Sequence, residues 1–259
     1  MIDKVEWERA EIKRSAFEAT HTPDAALKAD PTQLARYLAP PSSTVYPLEY
    51  AYSLLGDVAG KRVLDFGCGS GENCLVLARR GARVVGVDIS ESLIRVARKR
   101  LAVNGLDGGA AFAVGSAHDL PIEPGSIDIV LGIAVLHHLD LDASAREVHR
   151  VLKTGGRAIF QEPVRDSLLL KALRRAIPYQ APDVSPFERP LTTPELARFA
   201  SRFSRHRIRP FSLPFVNVTQ AVPPLRRYIH DSYRLDGALL RRAPALQAYS
   251  GIRVIEVEK

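Results

Sequence analysis

Residues 63–90 read VLDFGCGSGENCLVLARRGARVVGVDIS, and no other stretch restricts the fold as tightly. A short apolar run breaks into glycines at every second position, Gly67, Gly69 and Gly71. The segment GENCLVLARRG that follows has helical spacing and stops at Gly81. A second apolar run, RVVGVD, ends in Asp88, 21 residues after Gly67. Strand, glycine loop, helix and strand make a βαβ unit. Its loop permits a tight turn and brings backbone N–H groups close to a ligand. An acid at the tip of the second strand is placed to accept hydrogen bonds from ribose hydroxyls. The unit therefore predicts a nucleoside site.

The loop also narrows the nucleoside. Dinucleotide folds favour G-x-G-x-x-G, with a pyrophosphate at the helix N-terminus. Here the third glycine comes one residue early, Glu72 stands in the next position, and Asp65 precedes the loop. A carboxylate repels a pyrophosphate and attracts an ammonium or a sulfonium. This favours S-adenosylmethionine (SAM) over a nicotinamide dinucleotide.

The rest of the chain repeats the alternation. SESLIRVARKRLAVNG predicts a helix with Ser90 as N-cap and Gly105 as its stop. AAFAVG and SIDIVLGIAV predict the third and fourth strands, DASAREVHRVLKTGG a helix ended by Gly155 and Gly156, and RAIFQEP the fifth strand. TTPELARFASRF predicts a helix with Thr193 as N-cap, and RHRIRPFSLPF and GIRVIEVEK predict two last strands. Strands alternating with helices imply parallel βαβ units. The expected fold is α/β: a doubly wound, mostly parallel, seven-stranded Rossmann-like sheet with an antiparallel edge at its end and helical lid insertions. The mostly helical N-terminus predicts a cap over residues 1–46. A main domain follows over 47–259, with insertions at about 164–193 and 216–250.

Length and composition fit one large domain: 259 residues, 46% hydrophobic and 25% charged. No apolar run approaches the roughly 18 residues of a membrane span. No signal peptide is visible, and two cysteines make no disulfide framework, so the expected setting is cytoplasmic. From Val164 onward 15 Arg and 2 Lys face 8 acids, a net +9, whereas residues 1–163 carry −2. This basic third suits an anionic substrate, a membrane surface, a nucleic acid, or a solvated arginine-rich face.

Over about Pro47 to Pro163 the chain resembles the class I SAM-dependent methyltransferases. It is most similar to the small-molecule, type 11 group that includes the ubiquinone and menaquinone pathway enzymes. VLDFGCGSG, GVDIS, GSAHDLPIEPGSIDIV and EVHRVLKTGG match that group's motifs in order. The resemblance implies that Asp65, Gly67, Cys68, Gly69, Asp88, Ile89, Ser116, Ala117, His118 and Ile133 line SAM. Ile89 would pack on adenine, and Cys68 would act as a small filler. Ser116 departs from the group, which often has Asp there; a hydroxyl accepts from an exocyclic amine more weakly. The fourth strand lacks an Asp/Asn-Pro-Pro-aromatic motif, there is no Pro-Cys nucleophile, and no RNA-binding appendage is recognisable. These absences disfavour a nucleic-acid substrate.

SAM carries its methyl on a sulfonium, so transfer is an in-line displacement for which alignment supplies much of the rate. A base is needed only where the acceptor must lose a proton. The flanking segments usually shape the acceptor pocket in this group. Here they hold Tyr37, Tyr46, Tyr179, Arg226 and Tyr228, which with Glu162 are the expected acceptor contacts. They suggest a hydrophobic or aromatic small molecule bearing an acidic group; whether O, N or C is methylated stays open. In GIAVLHHLD, His137 and His138 follow the fourth strand. Related ubiquinone O-methyltransferases hold a metal here through two Glu and a His; the matching positions are Ala134, His137 and His138. Three roles remain open for the pair: a metal site with Glu162, which the lost carboxylates disfavour; a general base; and a structural one. Two alternatives to small-molecule methylation also stand. One is a SAM-binding protein without transfer. The other is a membrane-lipid methyltransferase, for which the basic helix DSLLLKALRRAI offers a peripheral contact. Nothing in the sequence sets the oligomeric state.

Overall fold

The computed structural model describes residues 4–167 and 190–259. Seven strands form one sheet in the order β3-β2-β1-β4-β5-β7-β6. They are β1 (Arg62–Phe66), β2 (Arg83–Asp88), β3 (Ala110–Val114), β4 (Ile127–Ile133), β5 (Leu152–Pro163), β6 (Arg205–Phe211) and β7 (Ile252–Glu258). β1 to β5 are parallel, and β7 runs antiparallel between β5 and β6. The C-terminal strand β7 is the antiparallel one, as expected; it lies inside the sheet beside β5, and β6 is the edge. Exposed Arg205 and Arg207 put charge on that edge, and Pro210 lacks an N–H, which blunts it against further pairing.

Strand periodicity splits the core in two. Leu64, Phe66, Val130, Phe160 and Ile255 face α6 (Leu141–Val151) and α7 (Thr193–Ala200). Their neighbours Val63, Ile129, Leu131, Ile159 and Val254 face α3 (Pro47–Leu54), α4 (Glu72–Arg79) and α5 (Glu91–Val103). Adjacent residues of a strand point to opposite faces, so each buried strand feeds both layers. The N-terminal α1 (Lys4–His21) packs against α5, and α2 (Pro31–Leu38) against α3. Between β6 and β7 the chain forms α8 (Pro214–Ala221) and α9 (Ile229–Arg242), with short 3₁₀ turns after each.

Two boundaries differ from the sequence expectation. α6 ends at Val151 rather than at the double glycine. Leu152 is already extended, fully buried and paired with Ile127. That burial outweighs the helical preference of the Leu-Lys pair and leaves Gly155 to turn the chain in a bulge. α7 is capped by Thr192, not Thr193: Thr192 and Glu195 exchange side-chain and backbone hydrogen bonds as a capping box. The helix expected at DSLLLKALRRAI lies outside the described residues except for its first two.

Candidate functional site

The C-terminal ends of β1, β2 and β4 open onto one cleft of about 250 Å³, the position at which ligands sit in doubly wound sheets. Its floor is the glycine loop. The N–H groups of Gly67 and Cys68 both donate to Val87 O, at 2.9 and 3.0 Å, which ties the loop to the tip of β2. Gly67 has φ +73°, and a Cβ there would come within 2.5 Å of Val135 Cγ2. A side chain is excluded both by the backbone and by the neighbouring turn.

Asp88 stands on the cleft wall with both carboxylate oxygens aimed by backbone. Oδ2 accepts from Gly69 N–H and Oδ1 from Ser90 N–H, each at 2.9 Å. Each oxygen keeps lone pairs for a ligand hydroxyl. Burial raises the Asp88 carboxyl above its ordinary range, and the two N–H donors work against that shift. Gly67, Gly69, Ile89, Ser116, Ala117 and Ile133 share the wall, as do His138 and Leu139.

Three expected cofactor residues lie elsewhere. Asp65 is fully buried and shares the face of Val63, so its carboxylate points at α4. Its Oδ2 accepts from the Cys74 thiol at 3.0 Å and its Oδ1 from Asn73 Nδ2 at 3.4 Å. The strand alternation decides this orientation. Burial pushes the Asp65 carboxyl up to about 6, partly offset by Cys74 and Asn73. Cys68 is buried beside Cys74 and away from the cleft wall. His118 serves the loop before α6: its Nε2 accepts from Asp140 N–H at 2.9 Å, and its ring lies 5.1 Å from Trp7.

The adjacent histidines divide. His137 turns inward, with Nδ1 2.9 Å from Glu162 Oε2. Glu162 is fully buried, and its Oε1 also accepts from Val135 N–H and Leu136 N–H at 2.9 and 2.8 Å. It clamps the turn after β4, where Ala134 takes a left-handed φ of +54°. The sequence reading offered Glu162 to the acceptor; the structure commits it to this turn. His138 faces the cleft, with Nδ1 3.4 Å from Glu11 Oε1. Among the described residues no group of three His, Cys, Asp or Glu side chains is arranged to hold a metal.

The described aromatic and basic residues assigned to the acceptor, Tyr37, Tyr46, Arg226 and Tyr228, do not line this cleft. Tyr37 packs on Tyr52 at 5.1 Å, joining α2 to α3. Tyr46 places its hydroxyl 2.5 Å from His230 Nδ1 and its ring 4.8 Å from Tyr233, which fastens the loop before α3 to α9. Arg226 donates to Gln220 O, and exposed Tyr228 lies under Arg227. Tyr179 lies outside the described residues.

Sequence reasoning missed α1. Trp7, Glu11, Arg14, Ser15 and Glu18 line the cleft from above. Glu8 accepts from Ser116 Oγ at 2.7 Å, and Arg14 Nε lies 3.2 Å from Glu11 Oε2. Glu11 and Ser15 are buried although polar. The 7, 11, 14, 15, 18 spacing marks one helix face, a signal hidden because that face is polar rather than apolar.

Residues 64–160 match the family model described as "Methyltransferase domain". "Methyltransferase GfsG" of Streptomyces halstedii is 40% identical over 123 residues, 46% of this chain and 44% of that protein. A "Ubiquinone biosynthesis O-methyltransferase" of Pseudomonas aeruginosa is 38% identical over 107 residues, 40% and 44% of the two chains. The matched stretch thus spans less than half the length of either relative. Among solved structures, a geranyl diphosphate C-methyltransferase from Streptomyces coelicolor A3(2), bound to Mg2+, geranyl diphosphate and S-adenosyl-L-homocysteine, superposes with a TM-score of 0.57. It is 20% identical and covers 81% of this chain and 79% of its own. Residues 64–160 thus match a methyltransferase domain and are carried on a Rossmann-like sheet.

Proposed function

We propose that the protein is a SAM-dependent methyltransferase acting on a small molecule. The observation that carries this is Asp88, held by Gly69 N–H and Ser90 N–H on the wall of a glycine-floored cleft. Such a carboxylate is oriented before any ligand arrives and suits a ribose diol. Ile89 and Ala117 offer an apolar slot for a purine, and Ser116, already donating to Glu8, offers a polar edge. Glu11, Glu18 and Asp88 make the cleft rich in acid, with Arg14 as the one basic residue on its wall beside His138. That balance suits a ligand with a cationic centre. SAM supplies an electrophilic methyl group on such a centre.

The chain's own part is to align and enclose. α1 roofs the cleft, which excludes water and restricts the approach of an acceptor. Of the two histidines, His138 is the one in reach of the cleft. With Glu11 beside its Nδ1, it is the group able to take a proton from an acceptor that must lose one. His137 has a structural part in this reading. The acceptor is a small molecule whose methylated atom stays open; the relatives' names include O- and C-methyltransferases. The setting we infer is cytoplasmic, supported by a chain whose two cysteines make no disulfide framework.

The test is calorimetric titration of SAM into the protein and into Asp88→Ala, beside labelled-SAM transfer to an acceptor panel. Asp88→Ala should weaken binding at least tenfold; each bidentate hydrogen-bond loss of roughly 1.4 kcal/mol is one such factor. Unchanged affinity removes the ribose assignment. Tight binding with no transfer to any acceptor assigns the cleft to a non-methylating role.

A further inference from the structure

The helices between β6 and β7 turn hydrocarbon outward. In α8, Val216 and Thr219 are buried, and Thr219 Oγ1 lies 2.8 Å from Ser232 Oγ, which sets that face against α9. On the flank beside that face, Phe215, Val218 and Val222 are 53%, 53% and 40% exposed. Their i, i+3, i+7 spacing makes one stripe along the helix and its end. Leu225 and Tyr228 on the next turn, and Leu235 on α9, are exposed as well. Single exposed apolar residues are ordinary, whereas a helically spaced run marks a contact surface.

The charge around this stripe selects its partner. Arg226, Arg227, Arg234, Arg241 and Arg242 are all exposed between residues 214 and 249, and Asp231 is the only exposed acid there. An anionic bilayer matches both halves of the pattern: hydrocarbon for the apolar stripe and lipid phosphates for the guanidinium groups. Among the described residues no helix is long and apolar enough to cross a membrane, so the fit is to the bilayer surface. β6 runs parallel to β1–β5, because β7 is antiparallel to both β5 and β6. The end of β6 that feeds α8 therefore opens at the same edge of the sheet as the cleft.

We propose that the 214–249 segment docks on an anionic membrane surface, with Phe215, Val218 and Val222 inserted shallowly and the arginines against lipid phosphates. This stands apart from methyl transfer, and its test requires none. The protein is sedimented with vesicles of phosphatidylcholine alone, and with vesicles containing half phosphatidylglycerol. It should partition onto the anionic vesicles at low salt and not onto the neutral ones. Partition should fall at least tenfold in 0.5 M salt, in Phe215→Ser/Val218→Ser and in Arg226→Gln/Arg227→Gln/Arg234→Gln. All these side chains are exposed, and circular dichroism and melting verify that each variant is folded. Absence of binding to anionic vesicles overturns the proposal. So does binding that the Phe215→Ser/Val218→Ser change leaves intact. A concentration-dependent oligomer that the same change dissolves, without vesicle binding, gives the face to a second copy instead.

Discussion

Around β1, β4 and β5 the chain buries charge; around α8 and α9 it exposes hydrocarbon. Asp65 and Glu162 are both fully buried. Each is held by named donors: Cys74 and Asn73 for one, and Val135 N–H, Leu136 N–H and His137 for the other. Buried carboxylates persist only with such partners, and they then fix geometry sharply. At α8 the inverse holds, with Phe215 and Val218 in solvent. Rigid, polar-locked architecture surrounds the cleft, and adhesive surface lies beside it. The comparison predicts that polar substitutions should be severe in the first region and that the direction a residue faces should decide the outcome in the second.

The largest effect is expected at Glu162. Glu162→Ala strips an acceptor from two backbone N–H groups and from His137 in a site without solvent. The cost should be about 4 kcal/mol, in the range for breaking a buried charged network, measured by urea denaturation. Glu162→Gln keeps an oxygen for the two N–H groups and should recover about half of it. The same turn carries Val135 against Gly67, so Glu162→Ala should also weaken SAM binding without touching the ligand. A loss below about 1 kcal/mol would show that the turn is held by its own backbone, and the contrast between the regions would fail.

Asp65 gives the next effect, of opposite sign. Burial raises its carboxyl from 3.8 to about 6, so the charged form is disfavoured in the folded protein. Below pH ~4 the group is protonated in both states and carries no penalty. Between about pH 4 and 6 the unfolded chain ionises while the folded state keeps the proton, so stability falls through that window and the loss is complete above the folded value. About two pH units correspond to roughly 3 kcal/mol. After a loss of about 1 kcal/mol from altered hydrogen bonds to Cys74 and Asn73, Asp65→Asn should lie about 1 kcal/mol below wild type near pH 4 and about 2 kcal/mol above it at pH 8. Melting curves across that range check it. Equal pH dependence in the two proteins would mean that the buried carboxylate is solvated or paired more fully than its contacts show.

Asp65 also shows where sequence reading stopped. The glycine loop, Asp88 and the alternation of parallel strands with helices were legible because they follow from local spacing. VLDF must be a strand, and an acid at the end of the next strand must sit at the sheet's edge. The direction of Asp65 was legible too, since it alternates with Phe66 and shares the face of Val63, but a ligand-centred reading overrode the period of 2. The division between His137 and His138 was not legible, because it depends on Glu162, which is 25 residues from His137. The role of α1 was hidden for a similar reason. Glu11 and Ser15 are buried by contact with a cleft that the sequence places more than 50 residues away, and a polar helix face carries no hydrophobic signature. Tyr37 and Tyr46 misled in the other direction, since aromatic rings that fasten helices look the same in sequence as rings that meet a ligand.

The smallest effects give the finest test of the second region, and they come from neighbours in one helix. Val216 is 1% exposed and Phe215 53%, though the two are adjacent. Val216→Ala removes two buried methyl groups and should cost about 1.5 kcal/mol. Phe215→Ser removes a far larger side chain from solvent and should change folding stability by less than about 0.5 kcal/mol. An ordinary amphipathic helix exposes polar residues, so deleting its exposed side chains alters neither folding nor binding. Here the larger residue should be silent in a melting curve and decisive in a vesicle assay, while Val216 should show the reverse. If Phe215→Ser destabilised the fold as much as Val216→Ala, the outward stripe would be packed within the protein, and α8 would join the buried architecture from which the comparison separates it.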